Sequence, residues 1–282
     1  MYNILVTGSN GQLGSEIHDI HKAYPEYNLV FTNSKILDIT NHEAVKAFVI
    51  ANNIKAIINC AAYTAVDKAE SEPERANDVN HLAVANLATL AETYNIKLIH
   101  ISTDYVFDGT NYKPYVETDK PNPQSVYGQT KLDGELAMQD INPKNSIVIR
   151  TSWVYSRFGN NFVKTMLRLA NERDALNVVA DQIGSPTNAA DLAKAILDIV
   201  PQLNNKKVQA YHYSNEGLCS WYDFAQAIFE IKEIAVKLTP TPSVAYPTPA
   251  KRPYYSVLDK TAFKDVYQLE VKHWREALTE NL

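Results

Sequence analysis

Only two cysteines, Cys60 and Cys219, occur in 282 residues, which excludes a disulfide framework and a cysteine-built metal site. Both read as buried thiols. The seven histidines, His18, His21, His42, His81, His100, His212 and His273, show no HExxH or other ligand spacing, so each reads as a surface or hydrogen-bonded core histidine. Basic residues are neither in excess nor clustered. The net charge of −5 leaves no electrostatic footprint for nucleic acid or an anionic membrane, though a local basic pocket for one small phosphorylated ligand stays open. No run approaches the roughly 18 apolar residues needed to span a bilayer. The start, Met1 to Thr7, has no basic segment followed by an apolar stretch and a cleavage site. These absences lead us to expect a cytoplasmic protein that binds neither nucleic acid nor membrane. Internal repeats and low-complexity segments are also missing.

What is present suffices for a large core. At 45% hydrophobic residues, the chain fits one large α/β domain or a domain with a smaller lobe. Ile4 to Val6, Leu29 to Phe31, Ala56 to Asn59, Leu98 to Ser102 and Ile147 to Ile149 are short apolar runs suited to strands buried on both faces of a parallel sheet. Amphipathic stretches separate them. The clearest runs from Glu74 to Tyr94 behind Pro73, which suits a first helical turn. Strands alternating with helices imply right-handed crossovers and a doubly wound sheet. Beyond about residue 150 the pattern loosens, with helices expected near Asn161 to Glu172, near Ala189 to Ile199 and after Ser220. Pro240 to Pro253 is too proline-rich for a regular helix or a central strand and reads as a long loop on a smaller lobe.

The first strand leads into Gly8-Ser9-Asn10-Gly11-Gln12-Leu13-Gly14 and then an amphipathic helix. Glycines permit the tight turn and let the backbone approach a pyrophosphate, whose charge meets the amides of the helix N-terminus. Three glycines alone are a weak signal; their position after the first strand strengthens it. A site for NAD would place an acidic residue at the end of the second strand. Here that stretch reads Phe31-Thr32-Asn33-Ser34-Lys35, with nothing to repel a 2′-phosphate and Lys35 able to pair with one. NADPH is the expected cofactor, with NADH still open. Asp38, before Ile39, reads as an adenine-side residue or a solvated loop aspartate.

Tyr127 and Lys131 form a YxxxK pair; four apart on a helix, they share a face. A lysine ammonium beside the phenol would lower its pKa toward the working range. The pair also occurs by chance as surface residues. Thr103, however, directly follows the strand Leu98 to Ser102, at the sheet edge where ligands of open α/β sheets lie, and its hydroxyl can meet a substrate carbonyl oxygen.

With these motifs in order, the sequence resembles the dTDP-4-dehydrorhamnose reductase family of the extended short-chain dehydrogenases. The resemblance rests on Gly8 to Gly14, Asn59 to Glu70 (NCAAYTAVDKAE), Ser102 to Gly109 (STDYVFDG), Tyr127 to Lys131 and Arg150 to Tyr155 (RTSWVY). It continues through Gly159 to Phe162, Asp181 to Thr187 and Tyr246 to Pro253, so it covers nearly the whole chain. It implies a Rossmann-type doubly wound parallel sheet with a smaller, mostly C-terminal substrate-binding lobe. The expected division is 1–152, with about 178–205 packing back, for the cofactor domain, and 153–177 with 206–282 for the lobe. It also implies reduction of the C4 keto group of a dTDP-linked deoxysugar by NADPH, the last step of dTDP-L-rhamnose synthesis for a surface polysaccharide.

By this similarity Thr103, Tyr127 and Lys131 are the catalytic set: Tyr127 donates the proton, Thr103 polarises the carbonyl oxygen, and Lys131 holds the tyrosine and the nicotinamide ribose. Cofactor contacts are implied for Gly8, Asn10, Gly11, Gln12 and Leu13, for Asp38 and Ile39, and for Ala61, Ala62 and Tyr63. Val66, Asp104, Tyr105 and Trp153 would line the sugar pocket, although an indole after a strand also packs well as core. Asn161, Lys164 and Arg252 are candidates for the nucleotide and its diphosphate, where a guanidinium fork binds two oxygens at once; for Arg252 the plain alternative is a solvated loop residue. Some members hold Mg²⁺ at a dimer interface through glutamates. This chain keeps Glu16 and Glu280 but reads Ala190-Asp191 at the middle position, so no catalytic metal is expected, and a structural Mg²⁺ and a homodimer stay open.

Two rivals share these features. A nucleotide-sugar epimerase or dehydratase uses the same three residues, but the acidic pair expected of a dehydratase after Thr103 is broken by Tyr105. The regulatory subunit of methionine adenosyltransferase is similar to these reductases, and intact Thr103, Tyr127 and Lys131 argue instead for catalysis.

Overall fold

The short apolar runs of the sequence become strands because both of their faces are covered. The structure is a computed structural model that describes residues 2–282. β1 (Tyr2–Thr7), β2 (Tyr27–Phe31), β3 (Ala56–Asn59), β4 (Lys97–Thr103), β5 (Ser146–Thr151) and β6 (Gln209–His212) form one parallel sheet in the order 6-5-4-3-1-2. Alternate residues of β1 serve opposite layers. Ile4 and Val6 pack with Ile58, Ile99, Leu192 and Ile196, whereas Leu5 packs with Val45, Ile57, Leu87 and Leu98. The first layer is built on α1 (Gln12–Ile20) and α5 (Ala189–Ile199). The second draws on α2 (His42–Ala51), α3 (Ala83–Tyr94) and α4 (Val126–Ile141). The order reverses direction at β1, opening a crevice between the carboxyl ends of β1 and β3, where open α/β sheets bind ligands.

A separate apolar cluster gathers Tyr155, Val163, Met166, Phe224, Ile228 and Trp274 from the segments beyond the sheet. The helix expected from Asn161 runs Phe162–Glu172, with the Asn161 side chain capping it through the Lys164 amide.

Three expectations are revised. The Glu74 to Tyr94 helix is interrupted: Pro73–Asn77 passes into a π turn at Asp78–Leu82 before α3 begins. The proline-rich region does contribute a strand at its start, Lys237–Thr241, parallel to Ala175–Val179 with Pro240 opposite Val178. A two-stranded ribbon has outer edges that need no donor, so proline is tolerated there. Gln209–His212, assigned to the smaller lobe, is the edge strand β6 of the central sheet, in register with Ile147 to Arg150. No helix is long and apolar enough to cross a membrane among the described residues.

Candidate active site

The carboxyl ends of β1, β3 and β4 and the start of α4 enclose a cleft of about 790 Å³. At its cofactor end, Gly8 adopts φ +65°, and a Cβ there would lie 2.7 Å from the Ala61 amide nitrogen. Only glycine fits a turn pressed this closely onto the strand below. The Gly11 amide donates to Gly8 O at 2.9 Å, and no side chain caps α1, so its first-turn amides stay available to an anion. All the expected cofactor residues, Gly8, Asn10, Gly11, Gln12, Leu13, Asp38, Ile39, Ala61, Ala62 and Tyr63, line this cleft. Lys35 also lines it, at the β2 end. Cys60 stands in the same wall and is only partly buried, contrary to the expectation of two buried thiols; burial of its sulfur still pushes the thiol up to about 12.

Tyr127 and Lys131 occupy the buried face of α4. Ser125 caps the helix by accepting from the Gly128 amide at 3.1 Å. A Cβ on Gly128 would come within 2.2 Å of Tyr105 O, so the helix start rests directly on the segment that follows Thr103. That close packing brings Thr103, Tyr127 and Lys131 to one cleft wall, and Tyr105 meets Tyr127 edge-on with ring centres 5.5 Å apart.

One expected detail is corrected. Lys131 does not bring the phenol of Tyr127 down: its ammonium donates to Ile101 O at 2.6 Å and lies 3.2 Å from His100 Nε2. Burial instead pushes the Tyr127 phenol up, with the Thr103 hydroxyl pulling the other way. A phenol held protonated suits a proton donor, which is the role a reduction demands. Burial also lowers Lys131 to about 8, opposed by the charge of Glu135.

The floor beneath these groups is a buried polar network. His100 pairs with the Asn59 amide at 3.0 Å, and Asn59 Oδ1 accepts from Thr7 Oγ1 at 2.6 Å. Burial and the Lys131 charge keep the imidazole of His100 neutral, far below its ordinary value. Glu135, one helical turn past Lys131, takes three hydrogen bonds from Arg150 on β5 and another from Ser102, next to Thr103. In the π turn, Asn80 accepts from the Tyr63 amide at 2.9 Å and donates to Tyr63 O at 3.1 Å and to Thr130 Oγ1 at 3.2 Å. Sequence reasoning missed Asn80 and Glu135 and left His100 as an ordinary histidine. The available signals were a polar residue on an otherwise apolar helix face and a carboxylate four residues after the lysine.

On the sugar side, Val66, Asp104, Tyr105 and Trp153 line the cleft. Trp153 holds φ +50° and stacks on Trp221 at 3.5 Å; a Cβ on Gly184 would lie 2.6 Å from the indole. Pocket and packing roles therefore coincide in one ring. Asn161, Lys164 and Arg252 are not part of the cleft wall. Asn161 reaches it indirectly by donating to Gln12 Oε1 at 3.0 Å, Lys164 is exposed, and Arg252 pairs with Asp67 at 2.7 Å and Tyr105 OH at 2.9 Å. Arg252 is thus not a freely solvated loop residue. The acidic positions considered for Mg²⁺ are engaged within the chain: Glu16 accepts from Ser156, Asp191 from Asn215 and Glu280 from Lys272, with Asp191 and Glu280 near enough to repel each other. Among the described residues no group of three His, Cys, Asp or Glu is arranged to hold a metal ion. A second hollow of about 450 Å³, over Tyr222, Phe229 and Leu238, contains none of the site residues.

This geometry agrees with what the chain is similar to. Residues 2–282 match the family described as "RmlD substrate binding domain". A dTDP-4-dehydrorhamnose reductase of Aggregatibacter actinomycetemcomitans is 42% identical over 287 aligned positions, covering 99% of this chain and 97% of its own. The solved structure of a dTDP-4-dehydrorhamnose reductase from Clostridium acetobutylicum superposes with a TM-score of 0.94 at 43% identity, covering 99% of this chain and 98% of that one. One from Bacillus anthracis, in complex with NADP, gives 0.94 at 38% identity, with 100% and 99% covered. The chain belongs to the dTDP-4-dehydrorhamnose reductase family.

Proposed function

We propose that this chain reduces the C4 keto group of dTDP-4-dehydro-β-L-rhamnose to give dTDP-β-L-rhamnose, with NADPH as reductant. The observation that carries this reading is the convergence of Thr103, Tyr127 and Lys131 beside a glycine turn in one cleft. The residues fit the cofactor. Gly8 leaves a cradle that a Cβ would fill, α1 offers uncapped amides, and Lys35 supplies a cation where a 2′-phosphate would lie, with no acid at the end of β2 to favour NADH.

When bound, the nicotinamide supplies the hydride. The chain supplies the rest. Tyr127, kept protonated by burial, delivers the proton to the developing C4 alkoxide, and the Thr103 hydroxyl polarises the same oxygen. Lys131, anchored on Ile101 O, holds the nicotinamide ribose. Trp153 and Tyr105 bound the sugar, and Asn161, Lys164 and Arg252 are assigned to the nucleotide end. Arg252 would exchange Asp67 for a diphosphate oxygen.

The same reading assigns the sugar to a lobe of 153–177 and 213–282, outside β6, places the reaction in the cytoplasm, and includes a homodimer, which sedimentation at several protein concentrations would test. Deuteride transfer tests the chemistry. With NADPH deuterated on the transferring face of nicotinamide C4, the product should carry deuterium at sugar C4 in stoichiometric amount. Isomerised sugar without label and without net NADPH consumption would instead establish an epimerase.

A further inference from the structure

A threonine hydroxyl has one proton to give and two lone pairs to offer. At Thr103 one lone pair takes the Tyr105 amide at 3.2 Å, while the proton is donated to Asp104 Oδ1 at 2.9 Å. The remaining lone pair is open to the neighbouring hydroxyl of Tyr127, which lies close enough for Thr103 to influence its ionisation. So long as Asp104 is an anion, Thr103 gives its proton to the carboxylate and can only accept from Tyr127. Both protons needed at the substrate oxygen are then directed elsewhere.

Asp104 is built to be something other than an anion. Its residue is 2% exposed, and its second oxygen, Oδ2, is buried with no hydrogen-bond partner. Ser256 stands near enough to favour the ionised form, yet no hydrogen bond reaches Oδ2. A buried carboxylate with an oxygen left unpaired favours the neutral acid.

We propose that Asp104 is a positioning residue that acts as a neutral acid: by donating its own proton to Thr103 it fills the second lone pair and turns the Thr103 and Tyr127 protons toward the reacting carbonyl oxygen. This rests on the reductase reading of the site. The groups facing Asp104 are Thr103 and Tyr105 from its own segment, Tyr127 from α4 and Ser256 from the C-terminal segment. The nearby charges are committed elsewhere, Arg252 to Asp67 and Lys131 to Ile101 and His100. Burial, against the polar pull of Ser256, Thr103 and the backbone amides of Asp104 and Tyr105, pushes the carboxyl up to about 6. A sugar seated over it removes further water and moves it higher.

Infrared difference spectra of the intact protein across a pH series report the carboxyl directly. The expected result is a carboxylic-acid carbonyl band lost with a midpoint near or above about 6 and missing from Asp104→Asn. In wild type kcat should fall roughly tenfold per pH unit above that ionisation. Asp104→Asn should lose this limb, and Thr103→Ser, which retains the hydroxyl, should keep it. NADPH binding by Asp104→Asn, followed by fluorescence, verifies that the variant is folded. An unchanged limb in Asp104→Asn, or a carboxyl ionised throughout the series, overturns the proposal. Because the infrared titration needs no substrate, failure of wild type to reduce the sugar counts against the reductase reading separately.

Discussion

The two sides of the cleft are built differently. The side bearing Thr103, Tyr127 and Lys131 stands on strand ends and one helix, and its supporting polar groups are almost wholly buried: Asn59, His100, Glu135 and Arg150 are all at 3% exposure or less. The sugar side is held by the Trp153–Trp221 stack and by an Arg252–Asp67 pair that is partly open to water. Rigid elements fix reacting groups within the tight tolerance that proton transfer needs, while loops and aromatic faces can be reshaped for a particular ligand. The contrast implies that damage on the first side costs rate and stability, and damage on the second costs affinity.

The largest effect should come from Tyr127→Phe, which is expected to cut kcat by about 10²–10⁴ while NADPH binding persists. Near-normal turnover in that variant would remove Tyr127 from the mechanism. Next comes Glu135→Ala, which strands the Arg150 guanidinium in the core and should cost about 3–5 kcal/mol in urea unfolding. A loss below 1 kcal/mol would show that the network is not the brace described here. Arg252→Ala should behave in the opposite way, raising KM for the nucleotide sugar by an amount equivalent to about 1–3 kcal/mol with little change in kcat or stability. A fall in kcat alone would erase the contrast between the sides. The smallest effect concerns pH. Lys131 loses its charge as pH rises through about 8, so kcat/KM, already falling through the Asp104 ionisation, should show a second, steeper decline above that value. The Glu135 charge raises this ionisation, so Glu135→Gln should move the decline to lower pH; an upward or absent shift would contradict the assignment.

The legibility of the sequence follows the same division. Gly8 to Gly14, Thr103 and the Tyr127–Lys131 pair can be read directly because each obeys a local rule: a turn, a strand end, or a shared helix face. His100, Asn59 and Glu135 obey none, since their partners come from neighbouring strands and from α4, and only the 6-5-4-3-1-2 order brings those together. The π turn at Asp78–Leu82 is equally silent, because the apolar spacing of Glu74 to Tyr94 hardly changes when one turn is widened. Pro240 misleads when read for a central strand and is permitted in a ribbon. Trp153 was ambiguous as a sequence feature for a physical reason: one indole both packs on Trp221 and walls the cleft.

The central claim is reduction at one site, and steady consumption of NADPH by the purified chain with dTDP-4-dehydro-β-L-rhamnose tests it most directly. One dTDP-β-L-rhamnose should form for each NADPH oxidised, at a rate cut about 10²–10⁴-fold by Tyr127→Phe. Tight NADPH binding with no oxidation, and no difference between wild type and that variant, would contradict it.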